Sequence, residues 1–252
     1  MPRLEPVTTA IFPSSPRSTA AEYTRRLPVA ASEGFRLDTT VVTGERPSCE
    51  IVIARHGETA WNADGRFQGH ADVPLNERGQ AQAVALAERM ASARARFDAL
   101  YASDLARAYE TAEIVGRRLG LTPTPEARLR EIDVRSWSGL TRFEIEEQWP
   151  GALARWGTDD DVHDGESRAS FATRVVESAR EIGVRHAGSR VLLVAHGGVV
   201  RSLQRAVTGA PEAVLENCGT WDFVVAGDGT LRPADRAGQA ARGASGAAEP
   251  IV

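Results

Sequence analysis

The sequence predicts a three-layer α/β/α sandwich built on a mostly parallel sheet with an antiparallel edge strand. Three observations carry that expectation. Two short runs, Ile51-Val52-Ile53-Ala54 and Val191-Leu192-Leu193-Val194-Ala195, are apolar without alternation, as strands buried on both faces are. Around them, segments with helical apolar spacing alternate with short strand-like runs, the order that yields parallel strands joined by crossover helices. Both apolar runs then break into the same dipeptide, giving Arg55-His56-Gly57 in one case and His196-Gly197-Gly198 in the other. Open α/β sheets bind ligands outside the carboxyl ends of their strands, so a site is expected there.

Residues 1–47 hold six prolines and little periodicity, and read as an irregular N-terminal extension. Within it, Arg36 to Val42 has the composition of an edge strand and Ala20 to Leu27 that of a short helix. A domain is expected over residues 48–233. After its first strand, Glu77 to Arg96 places Ala83, Leu86, Ala87 and Met90 on one helical face. Asp98 to Ser103 is a short strand, and Ser103 or Asp104 is positioned to cap the next helix. That helix carries the stripe Ala108, Ala112, Val115, Leu119 and stops at Gly120. Thr141 and Glu144 have capping-box spacing before a short helix that ends at Pro150. A longer helix follows Ser167, with Phe171, Val175, Ala179 and Ile182 aligned. Past the second buried strand, Gly227-Asp228-Gly229 joins Thr220 to Ala226 and Thr230 to Pro233 as an antiparallel hairpin. Residues 234–252, rich in Gly and Ala without an apolar stripe, read as a flexible tail.

Composition removes several functions. The net charge is −4, which is no footprint for nucleic acid. All 30 basic residues are arginine. With no lysine, a Walker-A lysine, a kinase strand lysine and a lysine Schiff base are all excluded. Cys49 and Cys218 lie far apart in no metal-binding or disulfide pattern, so both are expected as reduced thiols. No apolar run approaches the ~20 residues of a membrane span. The expected location is the cytoplasm, with neither nucleic acid nor membrane as partner.

If the two buried strands are neighbours, His56 and His196 emerge at one edge of the sheet. Arg107, in the first turn of the helix after Asp98–Ser103, starts from the same edge, and helix-start amides such as that of Gly197 add favourable potential for an anion. Two arginines, two histidines and these amides suit a tetrahedral dianion, with phosphate the natural candidate because guanidinium forks match its oxygens. A lone histidine at a strand end is ordinarily structural. The joint pattern makes these two candidates, whereas His70, His163 and His186 read as ordinary.

The motif IARHGETAWN resembles the signature of the histidine phosphatase superfamily, and the likeness continues through FQGHADVPLNERGQAQA, YASDLARAYETA, LREID, DGES and VAHGGVVRSL, over roughly Glu50 to Leu231. What the resemblance implies is a phosphomonoesterase that needs no metal and no cofactor. His56 would be the nucleophile and Glu131 the acid that protonates the leaving alkoxide, then the base that activates water. Arg55, Arg107, His196 and Gly197 would hold the phosphate oxygens, His196 protonated under the phosphate's own charge, with Asn62 beside them and Gln68 at the rim. The chain departs from the family at Arg135, where glycine is usual, and at Ser138, where glutamate is usual, so the backbone after Glu131 is expected to differ. Arg135 would then contact a second anionic group of the substrate. The segment Leu140 to Glu166, with its acidic run Asp159-Asp160-Asp161, would form a lid. It is shorter than the corresponding insertion of mutases and lacks their lysine, which favours hydrolysis of a small-molecule phosphate, a sugar phosphate being one candidate. A mutase-type phosphotransferase, a phosphoprotein phosphatase and a phosphate-binding module are the alternatives, and a homodimer is left open.

Overall fold

The computed structural model describes residues 46–92, 96–158, 161, 163–210 and 215–234. The strand expected at Arg36 to Val42, the helix expected at Ala20 to Leu27 and the tail beyond Ala234 lie outside the described residues. Chain order is β1 (Cys49–Arg55), α1 (Ala60–Ala63), α2 (Glu77–Ala91), β2 (Ala99–Ala102), α3 (Ala106–Leu119), β3 (Thr124–Pro125), α4 (Arg142–Gln148), α5 (Ala152–Arg155), α6 (Arg168–Arg185), β4 (Arg190–Ala195), α7 (Gly197–Thr208), β5 (Thr220–Val225) and β6 (Leu231–Pro233).

The sheet order is β3-β2-β4-β1-β5-β6. β1 and β4 are neighbours and parallel, as the paired histidines require, with Arg55 opposite Ala195. β2 runs parallel to β4 and β3 to β2. β5 is antiparallel to β1 and β6 to β5, so the antiparallel part is a hairpin two strands wide. Because side chains alternate along a strand, each buried run serves both faces. Ile51, Ile53, Val191 and Leu193 pack under α6 and α7 with Phe171, Val175, Ile182 and Leu203. Val52, Ala54, Leu192 and Val194 pack under α2 and α3 with Ala83, Leu86, Ala112 and Val115. Each fully buried aliphatic side chain contributes about 1.5–3 kcal/mol, and this two-sided burial is what holds the site edge in place.

Local chemistry explains most element ends. Thr141 and Glu144 form the expected capping box on α4, and Ser167 caps α6 through Ser170 N–H. Gly120 ends α3 in the left-handed conformation. α2 stops at Ala91, short of the expected Arg96. The cap expected from Ser103 or Asp104 is not made: the N-cap of α3 is Leu105, without a side-chain bond. Both side chains are used elsewhere, Ser103 by His196 and Asp104 by Arg130 in a two-point ion pair. Asp72 instead accepts the Ala106 N–H.

The segment after Leu140 is largely part of the core. Ile145 and Ala152 are fully buried, and Trp149, Leu153 and Trp156 pack against the same cluster. Trp137 is buried edge-on to Phe67 and Trp156. Asp159 and Asp160 lie outside the described residues. Among the described residues no helix is long and apolar enough to cross a membrane. One close approach matters for the site: a Cβ at Gly57 would lie 2.5 Å from the carbonyl oxygen of Gly79, and a Cβ at Gly79 would lie 2.0 Å from that of Glu58. Only two glycines let the first turn of α2 touch the loop that follows β1.

Candidate active site

β1 delivers Arg55 and then His56, β4 delivers His196, and α3 delivers Arg107. His56 and His196 stand edge to face with ring centroids 5.1 Å apart. Their residues are 3% and 0% exposed, and Arg107 is 1% exposed, so the cluster sits in a dry, low-dielectric setting. The parallel ladder runs on into the site, His56 N–H donating to the Ala195 carbonyl.

The proton on His56 is assigned by its neighbour. Nδ1 lies 2.6 Å from the Gly57 carbonyl oxygen, which can only accept, so Nδ1 carries the hydrogen and Nε2 keeps a lone pair. Burial, then Arg107 and Arg55, hold the ring well below the ordinary histidine range, against a smaller opposing effect of that hydrogen bond. A buried, neutral imidazole with a free Nε2 is a nucleophile. Gly57 N–H donates to Thr111 Oγ1, and Asn217 Nδ2 donates to the His56 carbonyl, which fixes the loop from both sides.

His196 pairs through Nε2 with Ser103 Oγ at 2.8 Å, while its Nδ1 is buried with no partner among the described residues. Burial, Arg107, His56, Arg55 and His70 together hold it well below the ordinary range. Burial and the two arginines favour the neutral ring here, whereas the protonation expected from the sequence is one that a phosphate's own charge would supply. A neutral ring that receives the Ser103 hydroxyl proton at Nε2 still donates from Nδ1–H. Arg107 places Nη1 on the Ala71 carbonyl and Nη2 on the Gly69 carbonyl, both at 2.8 Å, and its buried Nε has no partner among the described residues. Burial pushes its guanidinium down to about 10, against the pull of Glu131 and Asp72. Buried polar atoms are almost always satisfied, so Nδ1 and Nε are donors with capacity for a bound group.

Glu131 accepts from Ile132 N–H and, through Oε2, from Gly198 N–H at the start of α7, both at 2.9 Å. A carboxylate at a helix start is favoured by the exposed amides there. A Cβ at Gly198 would lie 2.2 Å from Oε1, so this approach needs glycine. Arg55 Nη1 donates to the Leu215 carbonyl at 2.8 Å. Thr59 Oγ1 lies 3.1 Å from both Asn62 Oδ1 and Gln68 Oε1, linking the two rim residues. Gly197 is the first residue of α7.

Arg135 is not among the gathered groups. Its side chain is 67% exposed and its Nε is on Asp133 Oδ2. Its φ is +42°, the left-handed turn that glycine favours, held by its own N–H on Asp133 Oδ1. Arg135 thus occupies a glycine-type turn, at a strain of about 1–2 kcal/mol. Sequence reasoning missed Ser103, Thr111, Asn217 and His70. The last donates from Nε2 to the Glu131 carbonyl. Ser103 and Thr111 fall within SDLARAYETA, where helical spacing hides their inward hydrogen bonds.

Acid should unfold the protein through these two histidines. Above about pH 6.5 they are neutral folded or unfolded; below it the unfolded chain binds protons that the folded one refuses, so stability falls as pH falls, by up to ~1.4 kcal/mol per pH unit for each histidine. In thermal melts, the wild type is expected to lose Tm below that pH more steeply than His196→Asn. Equal slopes would mean that His196 is already charged in the folded protein.

The family model for the histidine phosphatase superfamily, branch 1, matches residues 51–222. A glucosyl-3-phosphoglycerate phosphatase of Mycobacterium tuberculosis is 39% identical over 173 residues, covering 65% of this chain and 77% of that protein. A metal-independent phosphoserine phosphatase of Arabidopsis thaliana is 40% identical over 169 residues, covering 65% and 71%. The structure of Bacillus stearothermophilus YhfR superposes with a TM-score of 0.67 at 31% identity, covering 76% of this chain and 98% of that one. The chain belongs to the histidine phosphatase superfamily, branch 1.

Proposed function

We propose that this phosphatase hydrolyses a small-molecule phosphate monoester through a phosphohistidine on His56, with Glu131 as acid and then base and Arg55, Arg107, His196 and Gly197 around the phosphoryl oxygens. The observation that carries the reading is the His56 tautomer: Nδ1–H on a carbonyl, Nε2 bare, two arginines and a second imidazole beside it. In the first displacement the Nε2 lone pair forms the N–P bond, the P–O ester bond breaks, and the Glu131 carboxyl proton passes to the leaving alkoxide. In the second, the Glu131 carboxylate takes a proton from water, whose oxygen attacks phosphorus while Nε2 leaves with its electron pair. The net change is ester and water to alcohol and phosphate. Charge on the transferring phosphoryl group is met by fixed donors, the dominant contribution in such reactions.

Two of the relatives are named for phosphatase action on small esters, which supports a small-molecule substrate. We place the reaction in the cytoplasm. Cys49 and Cys218, free and buried, are compatible with a reducing compartment. The test is phosphate release in EDTA from a panel holding glucosyl-3-phosphoglycerate, phosphoserine, 3-phosphoglycerate and sugar phosphates, with a phosphopeptide alongside. Turnover of one small ester well above the rest is expected. Turnover only with added metal, or only of the phosphopeptide, would sink the reading.

A further inference from the structure

We propose that Arg174 is a positioning residue for catalysis: with Glu166 on one side and His70 on the other, it fixes the peptide of Glu131 so that the carboxyl proton reaches the leaving oxygen. This rests on the reading of Glu131 as general acid. Every N–H of the Arg174 guanidinium is used. Nε and Nη2 form a two-point pair with Glu166, each at 2.7 Å. Nη1 donates to the carbonyls of Arg128 and Arg130, each at 2.8 Å, and Nη2 to that of Glu131 at 2.9 Å.

The Glu131 carbonyl has two lone pairs, and the second accepts from His70 Nε2 at 2.9 Å. His70 is itself held in place, because Arg107 grips the carbonyls of the residues before and after it. Glu166 extends the clamp beyond the acid, its N–H donating to the Asp133 carbonyl at 2.8 Å. Residues 128 to 133 form no strand and only one short turn of 3₁₀ helix, at Ala127–Leu129, so little secondary structure fixes them. Three carbonyls in four residues are tied to one guanidinium. The pair lies mostly away from water, with side chains 20% and 16% exposed, so it is screened less than a surface ion pair.

A lysine could keep the charge beside Glu166 but not the planar fork, so Arg174→Lys probes geometry at constant charge. The discriminating measurement is kcat/KM for an alkyl ester, phosphoserine, against an aryl ester, p-nitrophenyl phosphate. This parameter reports the first displacement, and only the alkoxide needs the proton. Displacing an acid by about 1 Å costs on the order of 10²-fold, so Arg174→Lys is expected to lower the alkyl value about 10- to 100-fold and the aryl value less than about threefold. His70→Ala is expected to lose in the same pattern, and His70→Gln, whose amide reaches as far as Nε2, to recover most of it. A merely structural loss would lower both esters alike.

Glu131→Gln serves as the reference. If it falls far more on the alkyl than the aryl ester while the Arg174 and His70 variants lower both equally or neither, the positioning role is wrong and the acid stands. If Glu131→Gln shows no such difference, acid and positioning role fall together. Should Arg174→Lys melt below the assay temperature, the two His70 variants decide.

Discussion

His56→Ala is expected to lower kcat/KM on every accepted ester by about 10⁴–10⁶-fold, the scale seen when a nucleophile is removed from an otherwise intact site. No other group can replace it. Nε2 of His196 accepts the Ser103 hydroxyl hydrogen bond, which leaves the ring proton on Nδ1, so neither nitrogen offers a free lone pair. Neither cysteine offers a thiolate, since burial pushes both thiols far above neutral pH. Brief reaction with a phosphate-labelled ester is expected to leave a base-stable, acid-labile label on the wild type and none on the variant. Labelling of His56→Ala, or turnover within tenfold of wild type, would remove the phosphohistidine from the mechanism.

Arg107→Ala is expected to have the next largest effect, about 10²–10³-fold in kcat/KM, the usual result of removing one preorganised donor to developing charge. It differs from the loss of the acid in kind. Alkyl and aryl esters are both expected to lose heavily, because charge on the phosphoryl oxygens develops whatever leaves, with a further loss on the alkyl ester once His70 is freed. Vanadate, which mimics the five-coordinate phosphorus, is expected to bind more weakly in proportion. Arg107→Lys is expected to restore little, since two of the guanidinium nitrogens are spent on the carbonyls of Gly69 and Ala71 and a single ammonium cannot serve those and an oxyanion together. A variant that keeps wild-type vanadate affinity would place the guanidinium outside the phosphate site.

The sheet and the meeting of Arg55, His56, Arg107 and His196 at its edge were legible because they depend on strong, repetitive signals, whereas Glu131 was named only through the family resemblance. Two runs apolar on both faces can only be central strands, and their shared His-Gly ending follows from parallel pairing. Side-chain hydrogen bonds were less legible. Ser103 has the right identity and position to cap α3, yet His196 takes its hydroxyl, and local sequence carries no mark of that competition. His70 looked ordinary because its function comes from a carbonyl 61 residues away. Arg174 reads as one arginine among many on an amphipathic helix, and only its five acceptors distinguish it. Arg135 is a further case: local sequence did not show that its backbone would be left-handed, held by the ion pair and hydrogen bond to Asp133.

The contact between Gly57 and Gly79 bears on how this enzyme can be made more heat-resistant. Gly79 lies in the first turn of a 15-residue helix, and ordinary helix propensity would recommend alanine there for a gain of about 1 kcal/mol. The methyl group would have to occupy the space of the Glu58 carbonyl oxygen, two residues after His56, in the loop that carries the site. A search guided by propensity alone would thus place a methyl group where it costs stability as well as turnover. Position 79 is best excluded from such a library, and the exposed face of α2 around Val84 offers a safer place to begin.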